Sequence, residues 1–543
     1  MKNYLSIDQG TTSSRSIIFN SNLEKQIDSQ LEYKLDYPDD GWVELRPDDV
    51  VNTVKKTIAN VLDNFNGSIE ACGITNQRET TIVWSRDTGE PIYPGIVWQD
   101  RRTNEYCQEL KSNGYEKKVS EKTGLVLDPY FSATKVKWIL DNVEGAKERA
   151  QKGELAFGTV DSYLIFKLTK EKNHLTDVTN ASRTMLFNIH NKEWDQELLD
   201  IFEIPSSMLP EVLFCDGDYG TIVHSDKKIP IRGVIGDQQG ALVGQDCYEY
   251  GDMKSTYGTG CFLMVNTKND PVKSDQGLLT TIAYGLDGNV SYALEGSIYS
   301  SGNIIQWLRD KMKFFDDAKE SEKYINASGN SNNVLFLPAF NGLGAPFWDS
   351  NIRAGFKGIT QDTSINDIVT AAFHSIAFQT KEITKVLETN NININKLLVD
   401  GGMVANESFC QMLADTLQKN IKRPANVEST ALGACKVAMM ASGENISEIK
   451  QQYNVPNNLR SCHSAKIGNY TIEGHVPIES INKLFKEKPS ISGIAVPGMP
   501  HGSPGMETHS HESHSHNYET YKVVSFSKNG NTKIFDQISP KKY

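Results

Sequence analysis

Tyr4-Leu-Ser-Ile7, Asp8-Gln-Gly-Thr-Thr-Ser-Ser-Arg15 and Ser16-Ile-Ile-Phe19 follow one another without a break. Two apolar, β-type runs flank a turn of glycine and hydroxyl residues, which is the pattern of a hairpin. Glycine lets the backbone turn with positive φ and come close to a ligand. Successive N–H groups in such a turn form an anion-binding concavity, and neighbouring Thr and Ser hydroxyls add donors. Asp8, at the end of the first run, is placed to hold a hydrated Mg2+ that bridges phosphate oxygens. A tight hairpin without a ligand is the plain alternative. The same character returns in mid-chain, where Ser255-Thr-Tyr-Gly-Thr-Gly-Cys-Phe262 runs on into Leu-Met-Val265. The repeat predicts two related α/β domains with a boundary near 246–252. Between and beyond the hairpins lie helical faces, Val50, Val51, Val54, Ile58, Val61 and Leu62 behind the start signals Pro47 and Asp48, and Ile368, Ala372, Ile376, Ile383 and Leu387. A strand-like Leu397-Leu-Val399 then enters Asp400-Gly-Gly402.

The chain has 543 residues, enough for three or four units at ~150 residues each. With 38% hydrophobic and 23% charged residues it reads as globular, and a net charge of −12 argues against a nucleic-acid partner. No run of ~18 apolar residues predicts a membrane span, and no signal-peptide apolar region precedes Asp8. Eight cysteines stand singly, without a C-x-x-C pair, which suits reduced thiols and a cytoplasmic location. Seven of the eleven histidines fall between His463 and His516, so the chain has two compositions.

Two further clusters carry chemistry. In Thr75-Asn-Gln-Arg-Glu-Thr-Thr81, Arg78 and Glu79 are adjacent opposite charges after an apolar stretch, with Trp98 following in Val97-Trp-Gln-Asp-Arg-Arg102. They read either as a solvated ion pair of little worth or as a donor fork and an acceptor for a polyol's hydroxyls. Gly236-Asp-Gln-Gln239 follows the apolar Ile231-Arg-Gly-Val-Ile235. Asp237 there reads either as a cap for the helix that follows or as a general base, taking a proton from a hydroxyl that attacks a γ-phosphate.

Together with Tyr130-Phe-Ser-Ala-Thr-Lys-Val-Lys-Trp138, Asn180-Ala-Ser-Arg-Thr-Met-Leu-Phe187 and Asp400-Gly-Gly-Met-Val-Ala-Asn406, these motifs resemble the FGGY carbohydrate kinase family from residue 3 to about 442. The resemblance implies an α/β fold of two actin-like (ribonuclease-H-like) ATPase domains, 1–247 and 248–442, flanking a cleft. It implies ATP-dependent phosphorylation of glycerol to sn-glycerol 3-phosphate, with a kinase for another polyol or ketose as the rival. Asp237 matches the base. Arg78, Glu79, Tyr130, Asp237 and Gln238 match positions that hydrogen-bond glycerol, and Trp98 and Phe262 match aromatic walls against its carbons. Thr11, Thr12, Ser13, Arg15, Thr259, Gly302, Gln306, Gly402 and Asn406 match nucleotide positions, and Asp8 would place Mg2+. A homodimer or homotetramer is what the family suggests. The short His224-Ser-Asp-Lys-Lys-Ile-Pro230 lacks the glycine-rich loop with which some bacterial members bind a sugar bisphosphate, and His224 reads as a surface residue.

From about 446 the chain instead resembles a small family of metal-resistance-associated proteins, through Val455-Pro, Ser461-Cys-His463, Tyr470-Thr-Ile-Glu-Gly-His-Val-Pro477 and Gly493-Ile-Ala-Val-Pro-Gly-Met-Pro500. That family opens with a Cys-rich motif, and none stands upstream. The expectation for 443–543 is therefore a truncated, partial α+β module with an unstructured His-rich tract at 509–516. Cys462, His463 and His475 are borderline ligands suited to weak Cu(I) or Zn2+ binding. A metal-binding protein on a disabled kinase scaffold is the rival from another class.

Overall fold

A computed structural model describes residues 2–325, 330–340, 342–349, 351–424, 428–443, 459, 464–468, 470–474, 476–496, 520–527 and 531–539. The chain forms two compact units, Met1–Ser442 and Gly443–Tyr543.

In the first unit, β1 (Asn3–Gln9), β2 (Ser13–Asn20), β3 (Lys25–Glu32), β4 (Ala71–Asn76), β5 (Gly220–His224) and β6 (Lys227–Gly236) form a sheet of order β5-β6-β4-β1-β2-β3. The β1–β2–β3 meander is antiparallel, whereas β4 and β6 run parallel to β1. A second sheet contains β7 (Asp252–Tyr257), β8 (Cys261–Lys268), β9 (Leu279–Leu286), β10 (Asn289–Ile298), β11 (Lys396–Asp400) and β12 (Ile421–Lys422), in the order β9-β10-β8-β7-β11-β12. Its β7–β8–β10 meander is antiparallel, and β11 and β12 are parallel to β7. The series β3-β2-β1-β4-β6 and β10-β8-β7-β11-β12 are the same five-strand arrangement, so the internal repeat is a repeat of topology. The unit has the expected two-domain, actin-like fold.

Parallel strands covered on both faces cannot alternate polar and apolar residues. All six residues of β4 are buried accordingly. Helix α1 (Pro47–Asp63) starts with Pro47 in its first turn and buries Val50, Val51, Val54, Ile58, Val61 and Leu62 against the first sheet, as their spacing predicts. Helix α2 (Asp237–Gly244) follows β6 directly, and α3 (Gly302–Asp310) follows β10. Helix α4 (Ile365–Thr389) opens with a capping box between Ser364 and Asp367 and buries Ala372, Ile376, Ile383 and Leu387 in the second core.

Helix α5 (Ser429–Ala441) departs from a simple division at 248–442. It packs on α2, β1, β4 and β6, elements of the first domain. Ser6 Oγ donates to Ala431 O (2.6 Å), and Lys436 Nζ donates to Gly244 O (2.9 Å). The crossing with α2 depends on glycine, since a Cβ on Gly433 would lie 1.8 Å from Gly240 O.

The second unit is a five-stranded mixed sheet, β13 (Ser464–Ile467), β14 (Tyr470–Glu473), β15 (Gly493–Ala495), β16 (Tyr521–Phe526) and β17 (Thr532–Ile538), in chain order. Helix α6 (Ile478–Glu487) joins the parallel pair β14 and β15. Ile472, Leu484, Ile494, Val496, Tyr521 and Val523 form its core. Cys462, His463, His475 and the tract at 509–516 lie outside the described residues. Among the described residues no helix is long and apolar enough to cross a membrane, and no group of three or more His, Cys, Asp or Glu side chains is arranged to hold a metal.

Candidate active site

The two hairpins turn through Gly10-Thr-Thr12 and Gly258-Thr-Gly260. Gly10 N donates to Ser13 O (2.8 Å) and Gly258 N to Gly260 O (2.9 Å). The second turn also receives the start of α3, with Gly302 N donating to Gly258 O (2.8 Å) and Ser301 N to Thr259 O (3.0 Å). A Cβ on Gly302 would lie 2.6 Å from Gly258 O, so this approach requires glycine.

Around these turns lie two cavities that share Gly258 and Thr259. The smaller, about 160 Å3, is lined by Thr11, Arg78, Glu79, Trp98, Tyr130, Asp237, Gln238, Thr256, Thr259 and Phe262. It gathers every residue expected to touch glycerol. Trp98 meets Tyr130 and Phe262 edge to face, at centroid distances of 5.7 and 5.8 Å, and its Nε1 donates to Thr11 Oγ1 (3.0 Å). The larger, about 370 Å3, is lined by Thr259, Gly302, Ile305, Gln306, Gly402, Met403 and Asn406, among others. Asn406 also caps the helix Glu407–Leu417, its side chain accepting from Phe409 N.

Thr12, Ser13 and Arg15 line neither cavity. Thr12 is exposed, and Ser13 Oγ accepts from Gln30. Arg15 is engaged by Asp28 (2.7 Å) and by Glu428, the residue before α5. Asp8 pairs across the hairpin with Arg15. Burial first, then the nearby Asp237 and Glu428 carboxylates, push the Asp8 carboxyl up to about 7, against the opposing effect of Arg15. Such a convergence of negative charge fits a divalent cation held with phosphate, since Mg2+ takes only one or two protein carboxylates when phosphates complete its shell.

Asp237 is the first residue of α2, and Gly236 is the N-cap without side-chain capping. The aspartate is therefore not the cap. Its Oδ1 accepts from Gln238 N (2.7 Å) and faces Arg78 Nε (3.3 Å), while Oδ2 accepts from Gln238 Nε2 (3.2 Å). Arg78 and Glu79 are not a solvated pair. Both are buried, and Glu79 holds a φ of +58°, a costly conformation of the kind that collects at functional sites. Lys135 Nζ supports that corner by donating to the carbonyls of Tyr130 (2.5 Å) and Phe131 (3.3 Å).

Two charged residues of this site, Glu295 and Lys254, lie outside the motifs, and a third, Arg183, stands within Asn180–Phe187 without a role assigned from it. Glu295, on β10, receives Arg78 through both oxygens (2.6 and 3.0 Å) and also Arg183 Nη2 (2.9 Å). Arg183 Nε donates to Glu79 Oε1 (2.6 Å). Burial opposes ionisation of Glu295, but Arg183 and Arg78 overcome it and hold the carboxyl at about 2. Lys254, buried on β7, donates to Gln238 Oε1 and to Thr256 Oγ1 (3.1 Å). Burial lowers its pKa. The available signal was a lone carboxylate or ammonium inside an apolar strand, which persists only when partnered.

Residues 3–244 match the N-terminal domain of the FGGY family of carbohydrate kinases, and residues 253–442 match its C-terminal domain. Residues 459–506 match a protein family of unknown function, DUF411. A glycerol kinase of Marinomonas sp. (strain MWYL1) is 50% identical over 453 residues, covering 82% of this chain and 92% of that protein. A glycerol kinase of Bacillus subtilis (strain 168) is 49% identical over 460 residues, 83% of this chain and 93% of its own. Among solved structures, Plasmodium falciparum glycerol kinase with ADP is 34% identical and covers 90% of this chain and 97% of its own, with a TM-score of 0.77.

Proposed function

The chain belongs to the FGGY family of carbohydrate kinases, and from that premise we infer that it transfers the γ-phosphoryl group of ATP to glycerol, making sn-glycerol 3-phosphate. The observation that carries the reading is the small cavity with charged and aromatic lining, which shares Gly258 and Thr259 with a larger cavity. A triol has one polar and one apolar edge. Arg78, Glu79, Tyr130, Asp237 and Gln238 meet the first, and Trp98 and Phe262 the second.

In this reading a glycerol hydroxyl gives its proton to Asp237 as its oxygen attacks the γ-phosphorus. The bond from phosphorus to the bridging oxygen breaks, and its electron pair leaves with ADP. Phosphoryl transfer asks the protein mainly for positioning and charge stabilisation. Arg78 and Glu79 hold the remaining hydroxyls, and the aromatic walls keep water from the acceptor's side. The phosphates lie between the hairpins, with Thr11, Thr12, Ser13 and Arg15 on one side and Thr259 on the other. Gly302, Gln306, Gly402 and Asn406 receive the nucleoside. Asp8 and Asp237 would hold Mg2+, which when bound with ATP offsets the phosphate charge.

The seven described cysteines are buried free thiols, which supports a reducing, cytoplasmic setting. A homodimer or homotetramer belongs to the same proposal and is checked by light scattering. Weak Cu(I) or Zn2+ binding through Cys462, His463 and His475 is proposed for the tail, and calorimetric titration of the full chain with either metal tests it. The decisive experiment is ADP release by the full chain with Mg-ATP across glycerol, other polyols and ketoses. Glycerol should give the highest kcat/KM. No release with glycerol, or a preference for another acceptor, overturns the assignment.

A further inference from the structure

Behind the small cavity, Arg78, Glu295, Arg183 and Glu79 close a buried chain of four alternating charges. Two of the four, Arg78 and Glu79, line the cavity, whereas Arg183 and Glu295 do not. Glu295 takes Arg78 bidentately, through Nη1 (2.6 Å) and Nη2 (3.0 Å), and Nη1 also reaches Gln239 Oε1 (3.2 Å). The fork of Arg78 is thereby turned toward the protein, and its Nε edge is left facing Asp237. Arg183 acts on the second member. Its Nε takes Glu79 Oε1 (2.6 Å), and no hydrogen bond to Glu79 Oε2 competes with a ligand among the described contacts. The Arg183 guanidinium also lies 5.7 Å from the Tyr130 ring centroid and 5.3 Å from that of Phe131, while its Nη1 is buried without a hydrogen-bond partner. The same side chain therefore braces one polar and one aromatic wall. Ser297 Oγ donates to Glu295 Oε1 (3.1 Å) and completes the support from β10.

We propose that Glu295 and Arg183 are positioning residues for acceptor recognition: they set which edge of Arg78 and which oxygen of Glu79 face the acceptor's hydroxyls, and so set the selectivity for a triol. The geometry favours this over a purely structural brace. A brace needs only neutral pairing, but this chain carries its fixed charges to the two members that line the cavity, Arg78 and Glu79. Glu295 sits on the second sheet and Arg78 at the end of the first, so acceptor recognition is built from both domains.

The inference rests on the reading of the site as an acceptor pocket for glycerol, and the experiment separates the two. ADP release by the unaltered chain is measured with glycerol and with propane-1,2-diol, which lacks one hydroxyl. Tryptophan fluorescence, with Trp98 in the cavity wall, reads glycerol affinity independently of turnover. Failure of the unaltered chain to bind or use glycerol sinks the functional reading. The inference is read from Glu295→Gln and Arg183→Lys in the full chain. A site built to hydrogen-bond a hydroxyl rejects the analogue lacking it, and loosening that site relaxes the rejection. Each variant should raise KM and Kd for glycerol by ~10-fold or more and lower the glycerol-to-diol ratio of kcat/KM by a similar ~10-fold factor, with KM for ATP within ~2-fold. An unchanged ratio, with activity falling equally on both acceptors, overturns the proposal. So does failure of both variants to fold, which would make the chain of charges a structural brace.

Discussion

Asp237 stands in the first turn of α2 with its carboxylate held by Gln238 N, Gln238 Nε2 and Arg78 Nε. A carboxylate fixed in this way can take a proton without first reorganising. Asp237→Asn keeps the shape and removes the base, so kcat for ADP release should fall by at least ~10²-fold, with KM for ATP little changed. Near-normal turnover would remove Asp237 from that role. The short motif marked the aspartate, but an apolar strand followed by a glycine left a helix cap and a base equally open, and the family resemblance supplied the choice. Glu295 was not legible, since its partner Arg78 lies 217 residues away, and Arg183 stood within a quoted motif but takes its role from Glu79, 104 residues away. Another buried acid offers a test of the core. Asp161 accepts from Thr159 Oγ1 (2.5 Å) and Thr176 Oγ1 (2.6 Å), and burial together with Asp177 raises its carboxyl to about 7. Unfolded, it titrates near ~4. Between those values the folded chain keeps a proton that the unfolded chain has lost, so this residue's contribution to stability declines as pH rises from about 4 to about 7. Asp161→Asn abolishes that titration. The urea stability of the variant relative to the parent should therefore improve steadily across that window, and parallel curves would exclude the linkage.

At the scale of elements, the hairpins and the amphipathic helices were legible because their signals are local. Gly-Thr turns between apolar runs, and Val50 to Leu62 at helical spacing, needed no knowledge of distant chain. The docking of α5 was not legible. Its sequence Ser429-Thr-Ala-Leu-Gly-Ala-Cys-Lys-Val-Ala-Met-Met-Ala441 is small and apolar on most sides, so periodicity cannot say which sheet it will cover. Three glycines, Gly240, Gly244 and Gly433, let α2 and α5 approach backbone to backbone. The helix that starts at Asp237 is thus seated by a helix that comes almost 200 residues later in the same unit. Gly433→Ala places a Cβ 1.8 Å from Gly240 O, where the obstacle is backbone and cannot rotate away. Overpacking of this kind should cost at least about 1–3 kcal/mol in urea unfolding. It should also lower kcat, because the displacement acts on the helix that carries the base. A variant of unchanged stability would mean that the two helices are not held at this contact.

At the scale of the whole molecule, the change in composition past 442 marks a real division of cores. The first unit closes with α5, whose last residue is Ala441, and the second builds its own sheet and core from Ile472, Leu484, Ile494, Val496, Tyr521 and Val523. Every described residue that lines the acceptor and nucleotide cavities belongs to Met1–Ser442. Stability in separate cores adds nearly independently when no partner is shared. A chain ending at Ser442 therefore retains both sheets, the α2–α5 crossing and the charged lining of the acceptor cavity. It should release ADP from glycerol and Mg-ATP with kcat within ~2-fold of the full chain, and its main thermal transition should coincide with one of the transitions of the full chain. A loss of turnover of ~10-fold or more would show that residues beyond 442 shape the cleft, and the division of labour between the two units would have to be redrawn.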